Sequence, residues 1–153
     1  MNDKNWYSAN EYFSEALLLS PDNTELLYRR AVVCLAQAKD HYDLAEAAII
    51  REDIPIAEDE AKKADDLCKK VKEDSLAALK NDPKSFDIHY ILGCLYIYQG
   101  EWNGAIDEFS QCIKIDPKNP LPYQRRGEVY GYTGDSMNET VDLKQAAELG
   151  YSE

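Results

Sequence analysis

The sequence has little positive charge and few residues that bind metals. Its 153 residues include 17 Lys and Arg against 29 Asp and Glu, for a formal net charge of -12 at pH 7. Because that charge opposes a phosphate backbone, we expect no nucleic-acid partner. The two histidines stand alone and the four cysteines form no CxxC pair. This pattern indicates no metal site, and it favours buried, reduced thiols.

Long apolar runs, a leader sequence and catalytic motifs are also missing. No stretch approaches the roughly 18 apolar residues of a membrane-spanning helix. The first residues, MNDKNWYSANEYF, lack the basic and apolar regions of a signal peptide. We therefore expect no membrane insertion and a cytoplasmic location. The chain has no Gly-rich phosphate loop and no recognisable Ser-His-Asp set, so we expect no cofactor and no catalysis.

What the sequence does contain is a recurring order of small and large residues, seen best in LGCLYIYQGEWNGAIDEFSQCIKIDP. Gly93 and Ala105 are small where two antiparallel helices would approach closely, and Tyr96 and Phe109 are large enough to fill the space around them. Pro117 stops the second helix. The pattern therefore predicts a pair of packed helices.

The same order returns on both sides of this stretch, and it resembles the tetratricopeptide repeat of about 34 residues. The resemblance covers residues 4–38 and 84–150. It implies an all-α fold, a short right-handed superhelix of antiparallel helix pairs. We predict one domain over residues 1–153, made of a half-repeat (4–23, second helix only), an elongated repeat (24–85), a standard repeat (86–119) and a terminal repeat (120–153).

The elongated repeat is defined by a lack of helix breakers. Pro55 is the only Gly or Pro between Thr24 and Asp82, which predicts two long helices with a tip near residues 52–55. The unit exceeds the usual length by about 28 residues, or four heptads, so each arm can lengthen without rotating its apolar stripe. The predicted seam of this coiled-coil-like hairpin contains Ala31, Leu35, Ala38, Tyr42, Ala45 and Ile49 on one arm and Ala57, Ala61, Ala64, Cys68, Val71, Ser75 and Ala78 on the other. The hairpin is either a tolerated elongation, a contact surface or a dimerisation arm.

In tetratricopeptide arrays the first helices of successive repeats line a concave, peptide-binding face. The resemblance implies that the corresponding residues here are Tyr28, Arg29, Val32, Tyr90, Ile91, Cys94, Ile97, Tyr98, Gln124, Arg125, Glu128 and Tyr132. Aromatic and aliphatic side chains with two arginines suit an apolar peptide segment. Family members that bind the acidic tail of heat-shock chaperones carry a clamp of Lys, Asn, Asn, Lys and Arg. Only Arg125 matches that clamp, so we do not expect the chaperone tail to bind.

Two functions follow from these features. The first is a protein-interaction scaffold or co-chaperone-like module that binds an apolar peptide segment in the concave groove. The alternative is a self-association or assembly module within a larger solenoid or complex. It would use the open N-terminal half-repeat and the long hairpin, and would make a homo-oligomer possible.

Overall fold

The computed structural model describes residues 3–151, and this part of the chain consists of seven α-helices without strands. The helices are α1 (Asp3–Leu19), α2 (Thr24–Ile50), α3 (Ile54–Asn81), α4 (Phe86–Tyr98), α5 (Trp102–Ile115), α6 (Pro120–Thr133) and α7 (Ser136–Glu148). They form two compact units that divide between Pro83 and Lys84. We refer to α1–α3 as unit 1 and to α4–α7 as unit 2. The predicted all-α fold of helix pairs with one long hairpin is confirmed, and the ends of the predicted domain at 1–2 and 152–153 lie outside the described residues.

The long hairpin consists of α2 and α3. These helices have 27 and 28 residues, whereas α4 and α5 have 13 and 14, so each arm is longer by 14 residues. The Asn23 side chain caps α2 by accepting a hydrogen bond from the Leu26 N–H at 3.0 Å. Asp53 is the N-cap of α3, and Pro55 lies in its first turn, where a missing N–H costs nothing. The tip is therefore residues 51–53, and Pro55 belongs to the second arm.

The tip repeats the geometry of a shorter turn in unit 2. Glu52 has a φ of 61°, close to the 68° of Gly100 between α4 and α5. The N–H of the next residue then bonds to the end of the preceding helix in both turns. Asp53 N donates to Ala48 O at 2.9 Å, and Glu101 N donates to Tyr96 O at 2.8 Å. The hairpin therefore has an ordinary turn, and only its arms are longer.

The seam between the arms differs from the prediction on one side. On α3 the predicted positions are buried except Ala61, which is half-buried. On α2 the prediction was wrong at every second position. Buried there are Cys34, His41 and Ala48, in place of their neighbours Leu35, Tyr42 and Ile49.

Polar contacts across the hairpin help to explain this shift by one residue. The Tyr42 hydroxyl donates to Asp65 Oδ1 of α3 at 2.7 Å, so this ring lies at the edge of the seam. His41 Nδ1 lies 2.6 Å from Glu60 Oε2, also on α3. A buried imidazole with a polar partner is compatible with the seam, whereas the phenol reaches its carboxylate from the edge.

The core of unit 2 is built around one aromatic side chain. Phe109 is fully buried with Ala105 and Val129, and the Tyr90 ring packs edge-on against it with centroids 5.6 Å apart. Gly93 makes this packing possible, since a Cβ at that position would lie 2.6 Å from a ring atom of Phe109. The small residue on α4 and the large one on α5 therefore meet at the centre of this unit.

An ion-pair network ties three helices of unit 2 together. Arg126 of α6 donates to both carboxylate oxygens of Asp142 on α7, at 2.7 and 2.9 Å. The Nη1 of the same guanidinium donates to Ser110 Oγ of α5 at 2.8 Å. Asp142 is buried, so this bidentate arrangement supplies the hydrogen bonds that a desolvated carboxylate needs.

Unit 1 contains the same network. Arg30 of α2 donates to both oxygens of the buried Asp74 on α3, at 2.8 and 2.6 Å, and to Ser14 Oγ of α1 at 3.2 Å. Here the arginine and the aspartate are 44 positions apart, compared with 16 in unit 2. The difference equals the combined lengthening of the two arms, 14 residues in each.

Candidate functional site

The predicted groove residues fall into two groups, one in each unit. Tyr28, Arg29 and Val32 lie on α2 in unit 1. The remaining ones lie on α4 and α6 in unit 2. Each group is therefore described within its own unit.

Four of the predicted side chains on α4 and α6 form a hydrogen-bonded polar cluster. Arg125 Nε donates to the Tyr90 hydroxyl at 3.4 Å, and Arg125 Nη1 donates to Glu128 Oε2 at 3.0 Å. Gln124 Nε2 donates to Glu128 Oε1 at 3.1 Å. The Tyr90 hydrogen bond, followed by Glu128, raises the pKa of Arg125 against the opposing effect of burial. The cluster therefore holds a permanent cation beside an aromatic hydroxyl.

A stripe of apolar residues continues from this cluster along α4. Tyr90, Cys94, Ile97 and Tyr98 are spaced so that they share one face of the helix. Cys94 and Ile97 are half-buried, and Tyr98 is exposed. Burial raises the pKa of the Cys94 thiol to about 11, so the thiol is protonated at neutral pH and contributes apolar surface rather than a nucleophile.

Two other predicted side chains on these helices have different surroundings. Ile91 is only 6% exposed, so its side chain packs inside the protein. Tyr132 is 66% exposed, and its ring stacks on Trp102 of α5 with centroids 5.2 Å apart. Tyr132 therefore pairs with a residue of a second helix, a contact that the spacing of first-helix residues does not predict.

The predicted side chains on α2 line an apolar cavity of about 420 Å³ between α1 and α2. We call it the N-terminal groove, and it is lined by Trp6, Phe13, Tyr28, Arg29, Val32 and Val33. Arg29 Nε pairs with Glu25 one turn earlier at 2.5 Å, so the charge at the rim is largely compensated. The predicted groove omitted Trp6 and Phe13. These residues recur in the sequence as Trp102 and Phe109, and this repeat could have identified them.

The hairpin tip presents a second apolar surface in unit 1. Two isoleucines before the turn and two after it are each more than half exposed. They are Ile49, Ile50, Ile54 and Ile56. Exposed apolar side chains clustered at the end of an arm are typical of an interaction surface.

Residues 3–151 contain neither a metal-binding cluster nor a membrane-spanning helix. No group of three or more His, Cys, Asp or Glu side chains in that part of the chain is able to hold a metal ion. None of its helices combines the length and the apolar character required to span a membrane.

The helix pairs, their turns and the recurring network define an all-α helical-repeat protein. A family profile described as TPR repeat matches residues 93–134. Residues 93–134 therefore match the tetratricopeptide repeat, which confirms the resemblance seen in this part of the sequence. No curated protein sequence matches the chain.

Several solved structures share the fold. MamA MSR-1 C2 superposes with a TM-score of 0.63 at 18% identity, over 92% of this chain and 64% of that one. The crystal structure of MamA gives a TM-score of 0.54 at 21% identity, over 95% and 89% of the two chains. MamA 41-end from Desulfovibrio magneticus RS-1 gives 0.52 at 17% identity, over 94% and 85%. At these identities the similarity is one of fold, and the chain spans 64% of the length of MamA MSR-1 C2.

Proposed function

We propose that this protein is a non-catalytic interaction module that binds an apolar peptide segment on the α4 and α6 surface of unit 2. The observation that supports this function best is the polar cluster of Tyr90, Arg125 and Glu128 at one end of the apolar stripe on α4. Tyrosine offers contact area at low entropic cost, and arginine pairs with carboxylates or stacks on rings. Tetratricopeptide-repeat proteins are typically scaffolds, which agrees with this proposal.

The chemistry of the surface defines the ligand. Apolar side chains of a bound peptide would lie along Cys94, Ile97 and Tyr98, and a peptide carboxylate or aromatic ring would contact Arg125. The other clamp positions of chaperone-tail binders do not match here, so we propose no role for an acidic chaperone tail. The net charge of -12 argues against nucleic acid, and the four free cysteines agree with a reducing, cytoplasmic location.

A capture experiment tests this function. Peptides selected on the full chain from an apolar display library are expected to lose at least about tenfold in affinity when Tyr90→Ala and Arg125→Ala are combined, since aromatic and arginine side chains dominate such sites. The matched control combines Tyr12→Ala and Arg51→Ala, which removes the same residue types from exposed positions of unit 1. Unchanged capture in the first variant, with retained helicity, would rule out this surface.

We propose self-association or assembly through unit 1 as the second candidate function. It is favoured by the exposed isoleucines of the hairpin tip and by the N-terminal groove. Light scattering after size exclusion, across a wide concentration range, is expected to show an oligomer that Ile50→Glu with Ile54→Glu dissociates. A monomer at all concentrations would exclude self-association.

A further inference from the structure

The N-terminal groove of unit 1 repeats a surface that is already occupied in unit 2. Three of its side chains recur in unit 2. The sequence interval is the same one that separates Ser14 from Ser110 and Arg30 from Arg126 in the two networks. Trp6, Phe13 and Val33 correspond to Trp102, Phe109 and Val129. Because the two networks align α1 with α5 and α2 with α6, the first pair of helices presents the same kind of face as the second pair. The occupant of that face in unit 2 therefore indicates what the groove would bind.

In unit 2 this face is covered by α4. The Tyr90 ring packs on Phe109, and Arg125 donates to the Tyr90 hydroxyl. At the N-terminal end of α4, Cys112 Sγ donates to the Phe86 carbonyl oxygen at 3.5 Å. Helix α4 thus contacts its neighbours through an aromatic ring, a small residue over Phe109 and its own N-terminal backbone.

Among the described helices of unit 1, α2 is the one that packs extensively on α1. The equivalents of the covered residues are correspondingly more exposed. Phe13 is half-buried where Phe109 is fully buried, and Ala9 is half-buried where Ala105 is fully buried. Within the described part of unit 1, the face of α1 that corresponds to the α4-covered face of α5 therefore has no equivalent cover.

We propose that the N-terminal groove binds, in trans, an apolar helix of another polypeptide that has the contact pattern of α4, Tyr-x-x-Gly. The glycine would lie over Phe13 as Gly93 lies over Phe109. The tyrosine hydroxyl would approach Arg29 as Tyr90 approaches the equivalent arginine of unit 2. The inference deepens the second candidate function, assembly through unit 1, and rests on it.

The charges of the groove support an uncharged helix as the occupant. Arg29 is paired with Glu25, and the rest of the lining is apolar or aromatic. A charged side chain against this lining would lose hydration without gaining a partner. Helix α4 itself, FDIHYILGCLYIY, has Asp87 as its single acidic residue and no Lys or Arg.

The glycine provides the specificity of the proposed contact. A Cβ at Gly93 would lie 2.6 Å from the nearest Phe109 ring atom. The same clash is expected between Phe13 and any larger residue at the glycine position of the bound helix. A Leu in place of this Gly strengthens the helix itself, so loss of binding could not be attributed to loss of helicity.

The test uses the full chain and a synthetic peptide with the sequence KSFDIHYILGCLYIYQG, blocked at both ends and extended by a solubilising tail. We expect saturable binding by calorimetry, weakened at least about tenfold in the matched peptide that has Leu for Gly, as expected for overpacking. In the protein, Phe13→Ala is expected to weaken binding by a similar factor. Leu18→Ala is the control, because Leu18 is exposed on the same helix and corresponds in register to the exposed Lys114.

Three results would overturn the inference: no saturable binding, equal binding of the Gly and Leu peptides, or full binding to a Phe13→Ala variant that retains its helicity. If the chain assembles through its hairpin tip but does not bind the peptide, the inference about the groove is wrong and the proposed assembly function is retained. A chain that is monomeric and also ignores the peptide would remove both.

Discussion

The two units of this protein hold the same three side chains in the same network across different lengths of chain. The arginine and the aspartate are 44 positions apart in unit 1 and 16 in unit 2. The extra length is a whole number of heptads in each arm, so the apolar stripe keeps its direction. An insertion longer or shorter by about half a helical turn in one arm would have turned Asp74 away from Arg30. The network at the base of a hairpin is therefore compatible with arms of different length.

The units also differ in what fills the space between paired helices. The extended part of the hairpin buries small side chains such as Ala45, Ala48 and Ala57, whereas unit 2 buries Phe109 against Gly93. Small side chains bury little apolar area per residue. We therefore expect the arm to open locally at a lower free energy than its base or unit 2.

The largest effect is expected from breaking the shared network. Arg126→Leu leaves the buried Asp142 carboxylate without its partner and should lower the free energy of unfolding by about 3–5 kcal/mol, measured in urea. Arg30→Leu should cost a similar amount through Asp74. The control is Arg125→Leu, an exposed neighbour expected to cost at most about 1 kcal/mol. Equal losses for Arg125→Leu and Arg126→Leu would show that the network does not stabilise the fold.

Smaller effects, with a different cause in each unit, are expected at the centres of the helix pairs. When the turns at Glu52 and Gly100 are aligned, Ala45 takes the place of Gly93. Gly93→Ala should destabilise unit 2 by about 1–3 kcal/mol, because the added methyl group meets the Phe109 ring. Ala45→Gly should destabilise the arm by about 1 kcal/mol through helix propensity. Hydrogen exchange of each unit checks both, and a Gly93→Ala variant that is more stable than the wild type would contradict the packing described here.

The buried thiol of Cys112 should contribute to a loss of stability at alkaline pH. Burial raises the pKa of Cys112 from 9.0 to about 12, whereas the register equivalent in unit 1 is Ala16. The folded state keeps this proton while the unfolded state loses it above pH 9, so stability is present below that pH and falls as the pH rises toward 12. Cys112→Ala should flatten the decline measured by urea unfolding between about pH 8 and about pH 10.5. An unchanged slope of the free energy of unfolding against pH would show that other groups cause the decline.

The smallest effect is expected at the tip of the hairpin. Glu52 has the positive φ that Gly100 has in the turn of unit 2, so Glu52→Gly should stabilise the protein by about 1 kcal/mol. Glu58→Gly, at an exposed helical position of α3, should instead destabilise it by about 1 kcal/mol. Thermal unfolding compares the two, and a shift in the same direction for both would argue against strain at Glu52.

The sequence predicted the fold, whereas several contacts around the candidate site depend on residues far apart in the sequence. Long stretches without Gly or Pro predicted the two long helices, because these residues are the strongest helix breakers, and Pro55 marked the tip to within a few residues. The buried side of α2 was harder, since Cys34 and Leu35 are both apolar and only the partner helix decides between them. The contact of Arg125 with Tyr90 joins side chains 35 positions apart, and no local pattern predicts it.

The lengthening of the hairpin by 14 residues in each arm has a mechanical consequence. The length of the arms sets the distance between the isoleucines of the tip and the ion-pair network at the base of the hairpin. Removing one heptad from each arm would draw the tip in by about 10 Å and leave its facing direction unchanged. Removing about two residues from each arm, roughly half a helical turn, would turn the tip to the opposite side. The reach of the arm can thus be altered without turning the tip, whereas a turn of the tip changes the reach by only about 3 Å.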